Sequence, residues 1–173
     1  MLESNDETRI EYPFDFKVFY TYSLCGEKLS ITQRFMNCSQ EAMPFSSGLH
    51  PYFRIDPQTA TVRLASNKYL SVAEDLKPYS YDGVAGFQGG VEYIAKDLTD
   101  LRAELNTGLG HRVLIDAEGD YRYYVVWSPE DVQFACVEPW TALPNALNTQ
   151  KDLIWLRPNE EKGLTASFTV SEF

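Results

Sequence analysis

Two short runs carry the side chains best suited to proton transfer. Met43-Pro-Phe-Ser-Ser-Gly-Leu-His-Pro-Tyr52, closed by Phe53, contains His50, one of 2 histidines in the chain. Cys136-Val-Glu-Pro-Trp-Thr-Ala-Leu-Pro-Asn-Ala-Leu-Asn148 contains Glu138 beside Trp140. Imidazole is the side chain most easily poised to give or take a proton near neutral pH. A carboxyl group with apolar flanks can have its pKa raised into the same range. Together they could do general acid/base work, and the aromatic residues around both suit the flat apolar face of a sugar.

Each residue also has a plainer role open to it. His50 could be a buried histidine satisfied by backbone groups. Ser46, Ser47 and Gly48 make its approach flexible and polar, while Pro51 fixes its own φ and restricts His50; a side chain held this way reads as presented. Glu138 follows the apolar run Phe134–Val137, and position alone allows either a solvated strand-end charge or a partly buried base. Tyr52, Phe53, Trp127 and Trp140 are candidate stacking surfaces. Core packing is the alternative for all four; it is preferred for Trp127 in its apolar strand, and Trp140 is the better platform. Asn145 and Asn148 could bond sugar hydroxyls or close Asx-turns, the latter being expected of Asn148. His111 reads as a surface residue. No Gly-rich phosphate loop, H-E-x-x-H or G-x-S-x-G is present.

The elements that must position these groups read as strands. Apolar residues alternate from Phe14 to Leu24, Gly26 permits a turn within Cys25–Lys28, and Leu29 to Phe35 alternate again. Further strands are expected at 61–65, 112–116, 121–127, 132–137, 153–156 and 164–170, with Ala117-Glu-Gly-Asp120 as a turn. Ile94, Leu98, Leu101 and Leu105 fall near helical spacing, so a short helix is an option there. The Gly-, Tyr- and Pro-containing segment 77–90 reads as a long loop. Many short strands with turns between them imply an all-β, antiparallel sandwich in a single domain, residues 1–173.

The totals narrow the partners. Aromatics form 14% of the chain, with 11 Tyr and 10 Phe, which suits sheet packing and carbohydrate contact alike. The net charge of -10 disfavours nucleic acid and anionic membranes. The 3 cysteines are odd in number, and their spacing fits neither a disulfide framework nor a zinc site. Reduced thiols in a cytoplasmic protein are the simplest expectation. The polar, acidic N-terminus is no signal peptide, and no run of about 18 apolar residues spans a membrane.

The two motifs together resemble the aldose 1-epimerase (galactose mutarotase-like) family. Pro44-Phe-Ser-Ser-Gly-Leu-His-Pro-Tyr-Phe53 resembles the loop carrying that family's catalytic histidine. Val137-Glu-Pro-Trp-Thr141 with Pro144-Asn-Ala-Leu-Asn148 resembles the stretch carrying its catalytic glutamate. Leu156-Arg-Pro-Asn-Glu160 resembles the segment before the family's last strand. The resemblance implies a galactose mutarotase-like supersandwich in which Glu138 is the general base and His50 the general acid, on opposite sides of a bound pyranose. Asp97, Tyr52, Trp140 and Asn145 would bind the monosaccharide. Neither metal nor cofactor is implied, because both chemical steps are proton transfers. The family also has an N-terminal portion that supplies an arginine and another histidine, and this chain resembles the family's C-terminal part. Lacking those strands, it would expose sheet edges and apolar surface, where a second copy or a complementing chain could pair. Retained sugar binding without turnover, or a purely structural role, are the alternatives to catalysis.

Overall fold

A computed structural model describes residues 1–172. In chain order the elements begin with β1 (Leu2–Glu3), α1 (Asp6–Glu11), β2 (Phe16–Cys25) and β3 (Lys28–Asn37). Next come β4 (Met43–Phe45), β5 (Tyr52–Arg54), β6 (Thr61–Leu64) and β7 (Lys68–Ser71). Then follow β8 (Lys77–Ser80), β9 (Val84–Gly86), β10 (Val91–Lys96) and β11 (Arg102–Asn106). The chain continues with β12 (His111–Glu118), β13 (Tyr123–Ser128), β14 (Phe134–Trp140) and α2 (Ala146–Thr149), and ends with β15 (Ile154–Leu156) and β16 (Glu161–Glu172).

All strand pairs are antiparallel. One sheet has the order β1-β2-β3-β16-β12-β11-β6-β9, the other β5-β14-β13-β10-β7-β8, and β15 pairs with β4 alone. Alternation along the strands supplies the core. Val62, Leu105, Val113 and Ile115 of the first sheet pack with Tyr93, Ala95, Tyr124, Val126, Ala135 and Val137 of the second. The molecule is therefore the expected antiparallel sandwich. The opposite face of the second sheet buries a small group, Leu70, Ile94 and Val125, under Tyr123, Trp140 and Leu143.

Three expectations fail locally. The apolar residues between 94 and 105 belong to β10 and β11, not to a helix. Asp97 at φ 53° breaks the chain into a turn there, and Ala103 and Leu105 are buried two residues apart, the strand period. The supposed loop 77–90 contains β8 and β9, which continue the edges of both sheets. The strand before Glu138 runs on through Pro139 to Trp140, so Glu138 lies inside β14 and not at its end.

The loop before β5 is tied down from both sides. Buried Asn37 donates from Nδ2 to the carbonyls of Leu156 (2.9 Å) and Glu41 (2.7 Å). Buried Gln33 donates to the Tyr20 hydroxyl (2.9 Å) and accepts from Ser47 Oγ (3.1 Å) and the Tyr121 hydroxyl (3.0 Å).

Candidate active site

The histidine loop lies along β14 as an interrupted strand. Ser47 N–H donates to Thr141 Oγ1 (2.8 Å), and Thr141 N–H donates to the Ser47 carbonyl (2.9 Å). Gly48 bridges Trp140, and Leu49 N–H donates to the Pro139 carbonyl (3.2 Å). Beyond Pro51, which has no N–H to give, β5 resumes with Tyr52 opposite Cys136. The register is the same before and after the interruption, so His50 falls opposite Glu138. Cross-strand neighbours have Cβ atoms about 5 Å apart, which brings the two functional groups together. His50 Nε2 stands 3.4 Å from Glu138 Oε1.

At that separation no pyranose ring stands between the two groups. The His50 side chain is 50% exposed, while that of Glu138 is 2% exposed. One member of the pair meets solvent and the other comes from the protein interior.

Glu138 is held and tuned by its neighbours. Its second oxygen, Oε2, accepts a 3.0 Å hydrogen bond from the Trp140 indole N–H. Burial pushes its pKa up to about 7; the indole bond opposes that rise and the Glu92 charge adds to it. Of the two readings left open for Glu138, the structure selects the buried carboxyl. Gly48 makes the Trp140 position feasible, since a Cβ there would meet the indole Cδ1 at 2.6 Å.

An aromatic wall stands beside His50. Tyr52 stacks on the imidazole (4.9 Å between centroids, 12° between planes). Trp127 meets both edge-on, at 5.9 Å from His50 and 6.3 Å from Tyr52. Phe134 closes the wall against Tyr52 and Trp127. Trp127 is therefore part of this surface, contrary to the core role expected of it. Phe53 is the opposite case: it points through the sheet and packs on Phe168 in the core, as strand alternation requires of the residue after Tyr52.

Trp140, Asn145 and Asn148 lie further along the same face. Trp140 borders a cleft of about 420 Å³ that Ser46, Leu143, Asn145 and Asn148 also line. Asn145 stands at the N-cap of the short α2 at φ 65°, and its side-chain oxygen accepts a hydrogen bond from the Asn148 amide. Asp97 ion-pairs with Lys68 (3.0 Å) and Lys96 (3.8 Å), and the Lys68 bond pulls its pKa below the ordinary value. It contacts neither His50 nor Glu138. His111, read as a surface residue, is 48% exposed and stands 3.9 Å from Glu172.

Sequence reasoning missed Glu92, Phe134 and Cys136 as neighbours of the pair. Strand pairing carries that information: Glu92 lies opposite Trp127, and Trp127 opposite Cys136. Cys136 is buried, and its thiol is pushed up to about 12, first by burial and then by the Glu138 charge. All three cysteines are free thiols. No helix among the described residues is long and apolar enough to cross a membrane.

Comparison with known proteins yields consistent matches. The sequence profile of the aldose 1-epimerase family fits residues 1–169. The crystal structure of the Slr1438 protein of Synechocystis sp. PCC 6803 superposes with a TM-score of 0.92 at 28% identity, over 99% of this chain and 60% of that one. A galactose mutarotase-like protein of Clostridium acetobutylicum superposes at 0.84 and 21% identity, over 99% and 61%. A putative aldose 1-epimerase of Escherichia coli K12 superposes at 0.79 and 19% identity, over 92% and 62%. The present chain thus spans about 60% of the length of these structures.

Proposed function

Because this chain belongs to the aldose 1-epimerase family, we propose that it interconverts the α and β anomers of a free aldose by acid/base ring opening. Glu138 as carboxylate takes the proton of the anomeric hydroxyl, and a carbonyl forms at C1. The bond from C1 to the ring oxygen breaks, its electron pair stays on that oxygen, and protonated His50 supplies the proton there. Rotation about the C1–C2 bond presents the other aldehyde face. The reverse transfers close the ring, return both protons to their starting groups and leave no net redox change.

The observation that carries this reading is the 3.4 Å approach of His50 Nε2 to Glu138 Oε1. The two oxygens that must exchange protons are bonded to the same carbon, so an acid and a base side by side are what ring opening requires. A carboxyl pKa of about 7 adds support, since a general base works best near the operating pH. Tyr52 and Trp127 would take the apolar sugar face, with Trp140, Asn145 and Asp97 as further contacts. Residues 1–172 act as a single mutarotase-like sandwich in this reading.

Polarimetry on freshly dissolved α-glucose or α-galactose tests it. Acceleration over buffer is expected, and none would refute autonomous turnover. The competing reading is sugar binding without catalysis, favoured by the openness of the site: Tyr52 is 60% exposed. Tryptophan quenching by sugar without polarimetric change would select it.

A further inference from the structure

His50 and Glu138 share a neighbour for which ring opening has no use. Cys136 precedes Glu138 by two residues on β14, so both side chains leave the same face of the strand. A nitrogen of His50, the Cys136 sulfur and a carboxylate oxygen of Glu138 all lie within 4.8 Å of one another. Among the described residues this is the one cluster of three His, Cys, Asp or Glu ligand atoms drawn so close.

A tetrahedral zinc ion binds sulfur at about 2.3 Å and nitrogen or oxygen at about 2.0–2.2 Å, which sets its ligands roughly 3.3–3.7 Å apart. The 3.4 Å between His50 Nε2 and Glu138 Oε1 already matches such an edge. A mixed imidazole, thiolate and carboxylate set suits zinc and disfavours magnesium and calcium, which take oxygen. An outer-shell partner is in place as well. The Trp140 indole N–H holds Glu138 Oε2, fixing how the carboxylate is turned. His50 is the exposed member, so an ion has a route to the site from solvent.

We propose that His50, Cys136 and Glu138 form a three-ligand site for a borderline-soft divalent cation, zinc foremost, and that its occupation silences the acid/base pair. The silencing rests on the function proposed above; the metal site does not. On binding, the S–H bond of Cys136 breaks, its proton passes to bulk water, a sulfur–metal bond forms and the ion sheds waters. No oxidation state changes. With both groups on the metal, the bound His50 nitrogen cannot carry a proton for the ring oxygen, and the Glu138 carboxylate is too weakened as a base to take one from the anomeric hydroxyl.

Cobalt(II), a spectroscopic stand-in for zinc, tests the site on the intact chain without sugar. One equivalent should produce a thiolate-to-cobalt absorption band that zinc displaces. The band should vanish in Cys136→Ser and survive in a Cys25→Ser/Cys38→Ser double variant. Affinity should fall at least about 10–100-fold in His50→Asn, the loss that even an outer-shell change brings. His50→Asn alters an exposed side chain, so this arm holds even if Cys136→Ser fails to fold. Absence of the band in the wild type, or unchanged affinity in His50→Asn, would overturn the site. In polarimetry, zinc should inhibit the wild type and leave Cys136→Ser turning over. Inhibition that persisted in Cys136→Ser would overturn the silencing while the cobalt result stood.

Discussion

At the scale of single residues, the decisive property is the position of Glu138 inside the molecule. Its displaced pKa has two consequences of opposite kind. A base must be ionised to work, so the acid limb of kcat/KM should fall near pH 7; a limb near the ordinary glutamate value would contradict the buried-base assignment. For stability, the folded form holds its proton where the unfolded chain has released it, so ν is larger in the native state between pH 4.5 and about 7. Stability should therefore decline as pH rises through that window and level off above it, by about 3 kcal/mol at roughly 1.4 kcal/mol per pH unit. Denaturant unfolding should show this decline, and Glu138→Gln should abolish that share of it. His50 and Glu138 were legible because histidine is scarce here and because proline and aromatic residues frame both. Glu92 was not, since its relevance comes from pairing with another strand.

Among elements, the site depends on one strand register. The loop carrying His50 keeps step with β14 on both sides of Pro51, and only that register sets imidazole opposite carboxyl. Gly48 allows the indole of Trp140 to lie against the bridge between them. Gly48→Ala should cost about 1–3 kcal/mol through overpacking and should lower activity by displacing the indole from Glu138 Oε2. Thermal melts, tryptophan emission and polarimetry on the same sample would check it; unaltered emission with full activity would contradict it. Gln33 supports the loop from below through Ser47. Gln33→Leu leaves the Ser47 and Tyr121 hydroxyls without that acceptor and should cost about 1–3 kcal/mol in chemical denaturation. Long alternating strands such as β2, β3 and β16 were readable from their period of two. The 94–105 segment was not, because a turn at Asp97 split one apolar series into two strands whose residues only mimic helical spacing. The short β8 and β9 were hidden by turn-forming residues, although pairing along sheet edges makes them strands.

For the whole molecule, the sandwich and its family were legible because two motifs and the strand period agree, whereas the path of each edge depends on long-range pairing. One consequence concerns exposed apolar surface. Leu24 is 76% and Tyr22 66% exposed on β2, and Leu24 borders an open groove with Leu29, Ile31, Phe168 and Val170. Patches of this kind bind hydrophobic dyes. Leu24→Lys should reduce dye fluorescence with little change in stability; unchanged fluorescence would mean that this face is not accessible in solution. In the proposed reaction two strands deliver one acid and one base to one hemiacetal carbon, and groups that act as a unit show non-additive losses. The most direct measurement is anomer exchange of a labelled aldose by NMR in His50→Asn, Glu138→Gln and the double variant. All three should lose exchange to the same extent while remaining folded. Exchange in either single variant at the wild-type rate, or losses that multiply in the double variant, would contradict the concerted pair.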